Sequence, residues 1–385
     1  MITGTTLNQL QGFSTMGEKH KPVGEEDVRA LLDRDYGIRD ASISMIPTER
    51  DDTFSVSMKG EGTPRFILKV EHPAESYDAV LLRARSLRCL EDSDSSIPAT
   101  RLLPTRGGGL VSRLDSMEGV RWATLTTFLR GRLLARIPHP WPDSLSDGIG
   151  EHLARIERAL AGLRDDADDV PGRVLWDVRL LPRLSSAILP IIGQSAHTRA
   201  ERNRIDSVRS AVEVAVSHYG EVQNSIESLP VQLCHGDFHP GNLIVEGVPP
   251  RLCGILDFGD LHAMPPICDL GTCLLYLVDD DDDSDPFSAC RDALRGFLRI
   301  VPETGESQLA VLPQIMEARA ALTLLLPAFA RLSAGVESGH YLSGDEERLE
   351  RLRLLQGFGA DAIRRGLGLG STHIDGGNAK GDVRK

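Results

Sequence analysis

Hydrophobic and polar positions recur along this chain with two different periods, and the changeovers outline its elements. Apolar side chains at Val28, Leu31 and Leu32 predict a short helix over Glu25 to Tyr36. Three stretches then alternate with a period of two: Ile43 to Pro47, Thr53 to Met58 and Arg65 to Val70. They predict an antiparallel sheet, because alternation gives a strand one buried and one open face. Helical spacing returns from about Ser76 to Leu90. Residues 97 to 113 read as a loop and a strand. Trp122 to Leu129 is a further strand, running into Arg130-Gly131-Arg132. A stripe of Ile149, Leu153, Ile156, Leu160 and Leu163 marks a helix over Asp143 to Leu163, and a long helix follows over Ala200 to Tyr219.

Two short apolar runs, Leu243 to Val245 and Leu252 to Leu256, flank a loop around Gly247-Val248-Pro249-Pro250 and predict a hairpin. Pro265-Pro266 then opens a helix, and Phe287 to Leu367 is helical. Residues 1–22 are polar and aperiodic, an expected flexible terminus. Residues 368–385, rich in glycine and polar side chains, are an expected disordered tail.

The hairpin is where the chemistry gathers. Asp237 and Asn242 lie in the loop Cys234-His235-Gly236-Asp237-Phe238-His239-Pro240-Gly241-Asn242 that enters its first strand. Asp257, in Asp257-Phe258-Gly259-Asp260, ends its second. A hairpin folds its ends together, so three oxygen-bearing side chains converge, a set suited to a divalent cation and phosphate oxygens. Phosphoryl transfer needs a carboxylate to orient an attacking hydroxyl and accept its proton, and hard oxygen ligands for Mg²⁺. One acidic loop alone would read as solvated turn formers; two sub-motifs at this spacing point to catalysis.

The pattern H-G-D-x-H-x-x-N, a hydrophobic strand and then I-L-D-F-G-D resembles the aminoglycoside phosphotransferase and choline kinase superfamily of small-molecule kinases. The resemblance covers roughly residues 25–367. It implies an α+β, bilobal protein-kinase-like fold: a small antiparallel-sheet N-lobe over 23–126, five-stranded with one helix, and a larger, mainly helical C-lobe over 127–367. It implies Asp237 as the catalytic residue, with His235 and His239 supporting its loop, and Asn242 and Asp257 as the Mg²⁺ ligands. Lys69, in the apolar strand Phe66-Ile67-Leu68-Lys69-Val70, corresponds to the lysine on the phosphates of ATP or GTP. Thr127, Phe128 and Leu129 correspond to the hinge that receives the base. Glu49, Arg50 and Asp51 lie in a turn similar to the Ser-Glu-Arg-Asp-Gln-Asn-Phe turn of 5-hydroxylysine kinases and of kinase-like domains fused to class III aminotransferases, where the turn covers the phosphates. One feature departs from the pattern. The helix after Lys69 should carry a glutamate to hold the lysine, and near the expected place stand Leu81 and Leu82. Glu75 and Asp78, near the helix start, are possible stand-ins.

Composition narrows the partners. A net charge of −13 disfavours nucleic acid and anionic membranes, both of which need a basic face, and suits an amine-bearing acceptor. At 385 residues the chain exceeds one ordinary core, so two lobes are expected. The six cysteines form no C-x-x-C pair, which disfavours disulfides. The first thirty residues contain no apolar signal core, and no run approaches eighteen apolar residues, so no membrane span and a cytoplasmic location are expected. Trp176 reads equally as a packing anchor or a border of the substrate cleft. The acidic run Asp279 to Asp283 with Asp285 reads as a solvated loop, as does Asp165 to Asp169. The expected function is γ-phosphate transfer from ATP or GTP to a hydroxyl of a small amine or amino acid. An aminoglycoside or other antibiotic phosphotransferase is one alternative, and a catalytically weak nucleotide-binding module is the other.

Overall fold

The computed structural model describes residues 20–370 except 49, 117–118, 164–173, 195–198, 283 and 335–344. Glu49, Asp283, the acidic loop Asp165–Asp169, residues 1–19 of the N-terminus and the tail from 371 onward lie outside the described residues.

Helix α1 (Glu25–Leu31) begins with Glu25, Glu26 and Asp27, whose charges favour a helix N-terminus. A π-turn (Leu32–Tyr36) extends it and stops at Gly37, in the left-handed region with φ +71°. Strands β1 (Ala41–Ile46), β2 (Asp52–Met58) and β3 (Phe66–Val70) follow, then α2 (Tyr77–Ser93), whose N-cap Ser76 accepts the Ala79 N–H at 3.2 Å. Next come β4 (Leu102–Leu103), β5 (Ser112–Ser116) and β6 (Gly119–Thr127). Among the described residues these six strands form one antiparallel sheet, ordered β1-β2-β3-β6-β4 with β5 also on β6. Ser112–Ser116 pairs with Gly119–Ala123, and Leu102–Leu103 with Leu125–Thr126, so β4 and β5 lie end to end on one edge of β6. The sheet is therefore five strands wide although its edge is built from two pieces. That edge is where the expected single strand in 97–113 divides.

Alternation sets the inner face. Phe54, Val56, Leu68, Val70, Leu114, Ala123 and Leu125 are buried with Val28, Leu31 and Leu32 of the first helix, a core distinct from the larger one beyond it. That larger core is assembled from α3 (Asp143–Leu160), α4 (Leu181–Gln194), α5 (Arg199–Glu227), α6 (Pro266–Leu275), α7 (Ser288–Ile300), α8 (Leu312–Ala334) and α9 (Asp345–Gly366). Helix α5 runs eight residues past the expected Tyr219. Short strands lie between: β7 (Arg132–Leu133), β8 (Gln232–Cys234), β9 (Leu243–Glu246), β10 (Arg251–Ile255) and β11 (His262–Met264). β9 and β10 form the expected hairpin with β7 added, and β8 pairs with β11.

One helical segment, Glu306–Ala330, is long and apolar enough to cross a bilayer by length and average composition, although it contains no unbroken run of eighteen apolar residues. It is interrupted by Glu317 and Arg319, both paired inside the protein, and 89% of its apolar window is buried, the position of a core helix. All six cysteines are free, four of them buried. The acidic run is tied into the helical lobe: Asp279 meets His139, Asp280 meets Arg351 and Asp285 meets Arg291.

Candidate active site

The loop carrying Asp237 is fixed from beneath by a buried carboxylate. Asp269, in the first turn of α6, accepts the His235 N–H at 2.9 Å and the Gly236 N–H at 3.2 Å. Gly236 sits at φ +83°, and a Cβ there would drive into the Asp260 carbonyl oxygen, so only glycine fits. The buried His235 accepts the Asp237 N–H on Nδ1 (3.3 Å), so Nε2 carries the proton and donates to the Leu256 carbonyl at 3.0 Å. Leu256 N–H in turn donates to the Asn242 carbonyl at 2.8 Å. His235 thus clasps the two motifs together, a structural role one step from the chemistry.

Both oxygens of Asp237 are held. His239 accepts the Gly241 N–H on Nδ1 (3.0 Å), which leaves Nε2–H to donate to Asp237 Oδ2 at 3.2 Å. Asn242 Nδ2 donates to the same oxygen at 3.0 Å and to the Asp237 carbonyl at 2.9 Å, which turns its own Oδ1 into the atom it can offer a cation. Arg319, a buried residue of α8, donates from Nη2 to Asp237 Oδ1 at 2.5 Å. Burial by itself would raise the Asp237 pKa, but His239, Arg319 and His235 outweigh it and hold the carboxyl well below the usual range.

Asp257 follows β10 at φ +55°, the one non-glycine residue with positive φ among the described residues, and its carboxylate is exposed. Its Oδ1 accepts the Gly259 N–H at 3.0 Å. Burial, then repulsion from Asp237 and Asp257, lifts the neighbouring Asp260 carboxyl to about 7. The donors offered here, Asn242 Oδ1 and the exposed Asp257 carboxylate, are hard oxygens, and they fit Mg²⁺.

Lys69 reaches the same place. Its Nζ lies 3.8 Å from where a Gly259 side chain would start, and Asp257 Oδ1 lies 2.8 Å from that point. The absent helix glutamate is replaced from elsewhere: Lys69 Nζ pairs with Asp51 Oδ2 at 2.8 Å and with Glu71 Oε2 at 3.7 Å. Asp51 also caps the His72 N–H at 2.8 Å. The helix contributes the opposite charge, since Arg83 of α2 pairs with Glu71 at 3.1 Å and Glu75 at 3.0 Å, while Arg50 also meets Glu75. Burial opposes the charge on Lys69, but Glu71, Asp51 and Asp257 outweigh it and raise its pKa, so it is a full cation.

A carboxylate pinned in a loop, two hard oxygen donors and a strand lysine are thus brought together from three segments of the chain. The model of the phosphotransferase enzyme family (APH) matches residues 47–327, more than half of the chain. This chain belongs to that family. Solved structures with the same protein-kinase-like fold include the amicoumacin kinase hAmiN in complex with AMP-PNP, Ca²⁺ and Ami (TM-score 0.59, 15% identity, 92% of this chain and 97% of that one). The microcompartment-associated aminopropanol kinase (TM-score 0.55, 16% identity, 87% and 97%) and the Plasmodium vivax ethanolamine kinase (TM-score 0.53, 12% identity, 93% and 97%) share it as well. No curated protein sequence matches the chain. The protein is an O-phosphotransferase of the APH family, built on two lobes.

Within this phosphotransferase the expected hinge is partly engaged already. Thr127 N–H donates to the Arg101 carbonyl (2.9 Å), Thr127 carbonyl accepts from Thr100 Oγ1 (2.8 Å), and Phe128 N–H donates to the Arg65 carbonyl (2.9 Å). The Leu129 side chain packs toward Gly254. Arg50 turns to Glu75 and Asp51 to Lys69, so neither projects freely from the turn.

Three participants escaped the sequence reading. Arg319 lies eighty-two residues from Asp237, on an apolar helix whose pattern reads as core. Its signal was a lone arginine among buried apolar positions, costly to bury unless paired. Glu71 and Arg83 form the pair with its signs exchanged between strand end and helix, so no glutamate stands in α2 where one is expected.

Proposed function

We propose that this phosphotransferase moves the γ-phosphate of ATP or GTP to a hydroxyl of a small hydroxylated amine or amino acid. The carrying observation is the Asp237 carboxylate, pinned at both oxygens, one of them by Asn242, while Asp257 and Lys69 meet at Gly259 in the segment that His235 ties to the same loop. Lys69 binds the nucleotide phosphates and Asp237 orients the acceptor hydroxyl. Its low pKa makes Asp237 a weak base that takes the proton late, in keeping with a loose transition state. Asn242 and Asp257 would hold Mg²⁺, which when bound neutralises charge on the transferring phosphate. With Thr127 N–H and Phe128 N–H engaged, base recognition falls to the Phe128 carbonyl and the Leu129 backbone.

An amine-bearing acceptor is supported by the net charge of −13 and by relatives of like fold that are aminopropanol and ethanolamine kinases. Likeness to aminoglycoside 2'-phosphotransferase-IIIa keeps a larger aminoglycoside as the second reading. The weakly catalytic binding module loses its main support, because Asp51 and Glu71 hold Lys69 without the helix glutamate.

The test is nucleotide turnover with Mg-ATP and Mg-GTP against 5-hydroxylysine, ethanolamine, choline, homoserine and several aminoglycosides. Stimulation by one acceptor, abolished in Asp237→Asn with nucleotide binding retained, is the expected result. Turnover surviving in Asp237→Asn overturns the assignment.

A further inference from the structure

Arg319 is an expensive residue where it stands. Its side chain is 2% exposed, on the apolar helix α8, and its Nε finds no partner among the described residues. Nη1 donates to the Trp176 carbonyl at 3.1 Å and Nη2 to Asp237 Oδ1 at 2.5 Å. The guanidinium lies over the Trp176 ring, 4.6 Å from its centroid, and 6.0 Å from that of Tyr276. The planar guanidinium thus spans from Trp176 to Asp237.

A carboxylate accepts about four hydrogen bonds, two per oxygen. Oδ2 has its two, from His239 and Asn242. Among the described residues Oδ1 has one, from Arg319, and the Asp237 side chain remains 18% exposed. The open direction is therefore on Oδ1, beside the guanidinium. We propose that Arg319 is a positioning residue for phosphoryl transfer: by pinning Asp237 Oδ1 it stops rotation of the carboxylate and directs the acceptor hydroxyl to the remaining lone pair of that oxygen. This rests on the kinase reading above. As the acceptor oxygen bonds to the γ-phosphorus, the bond from that phosphorus to the nucleoside diphosphate breaks. The hydroxyl proton passes to Oδ1, and phosphorylated acceptor and nucleoside diphosphate result.

The experiment measures kcat, the acceptor KM and Mg-ATP binding for Arg319→Gln and Arg319→Lys in the full chain, using whichever acceptor of the panel is turned over and also Mg-ATP hydrolysis, which needs no acceptor. Arg319→Gln is expected to lower kcat about 10- to 100-fold with Mg-ATP affinity within about twofold of the unaltered chain. Arg319→Lys keeps the buried charge but cannot bridge Trp176 and Asp237 together, and should recover only part of the rate. In an Asp237→Asn background Arg319→Gln should cost nothing further, because its effect passes through that carboxylate. Guanidinium ion should restore part of the rate of Arg319→Ala. Unchanged kcat in a folded Arg319→Gln, an equal loss in both backgrounds, or a matching loss of Mg-ATP affinity overturns the proposal. An unaltered chain that neither binds Mg-ATP nor hydrolyses it overturns the kinase reading, and the proposal with it.

Discussion

Glu71, just past the end of β3, and Arg83, in the second turn of α2, meet at 3.1 Å and join the sheet to the helix with charges opposite to the expected lysine–glutamate arrangement. Glu71 also stands 3.7 Å from Lys69, so one buried carboxylate serves both cations. Burial raises the Glu71 pKa, and Lys69 and Arg83 work against that rise. Breaking one side of a buried pair strands the other charge.

Arg83→Leu should therefore cost about 3 kcal/mol of stability, and the same change in a Glu71→Gln background distinctly less. Denaturant unfolding of the four chains checks this. Additive losses would mean that the two side chains act independently.

Asp51 pairs with Lys69 at 2.8 Å, so a nucleotide phosphate drawn to that lysine would meet the Asp51 charge as well. Asp51→Asn keeps a hydrogen-bond acceptor for the His72 N–H while removing the competing charge. Nucleotide affinity should rise about three- to tenfold, read by titration with and without Mg²⁺. A fall would show that Asp51 helps to hold phosphate through the lysine.

Two glycines should respond in opposite directions. Gly236→Ala meets both a positive φ and the Asp260 carbonyl, and should cost about 3 kcal/mol or more and disorder the catalytic loop. Gly220→Ala lies on exposed helical surface with nothing within 4 Å, and should add about 0.8 kcal/mol. Unfolding midpoints of both variants decide it.

Glu157 of α3 is buried near Asp269, which holds the Asp237 loop, and its Oε1 has no partner among the described residues; burial, then Asp269, raises its pKa well above the ordinary 4.5. The folded chain thus keeps this proton to higher pH than the unfolded chain. That contribution to stability is complete below pH 4.5 and is lost as pH rises through the elevated folded value. Glu157→Gln should flatten the decline in melting temperature from acidic toward alkaline pH. An unaltered pH slope would show that Glu157 is not the group responsible.

How much of this was legible depended on distance along the chain. Asp237, Asn242 and Asp257 lie within twenty-one residues, joined by a hairpin whose apolar runs and Gly-Pro loop are visible in sequence, and their convergence follows from chain geometry. Lys69 was visible because a charged residue in an apolar strand demands a reason. The split edge of the sheet was not, since two-residue β4 carries no periodicity. The true end of α5 was missed because its last turns are mostly polar and offer only Val222 and Ile226 as apolar positions, too few to show a stripe.

The sequence by itself determined most of the local elements and the convergence of the His235–Asn242 loop with Asp257, since both depend on residue type and short spacing. Only the tertiary structure decided which charges meet. Arg319 reaches Asp237 because α8 crosses beneath the loop, and Glu71 takes the place of a helix glutamate because β3 and α2 bring Lys69 and Arg83 to one carboxylate. Ionic contacts follow from position in space, and a buried charge accepts any partner of opposite sign that the packing delivers, whatever its place in the chain.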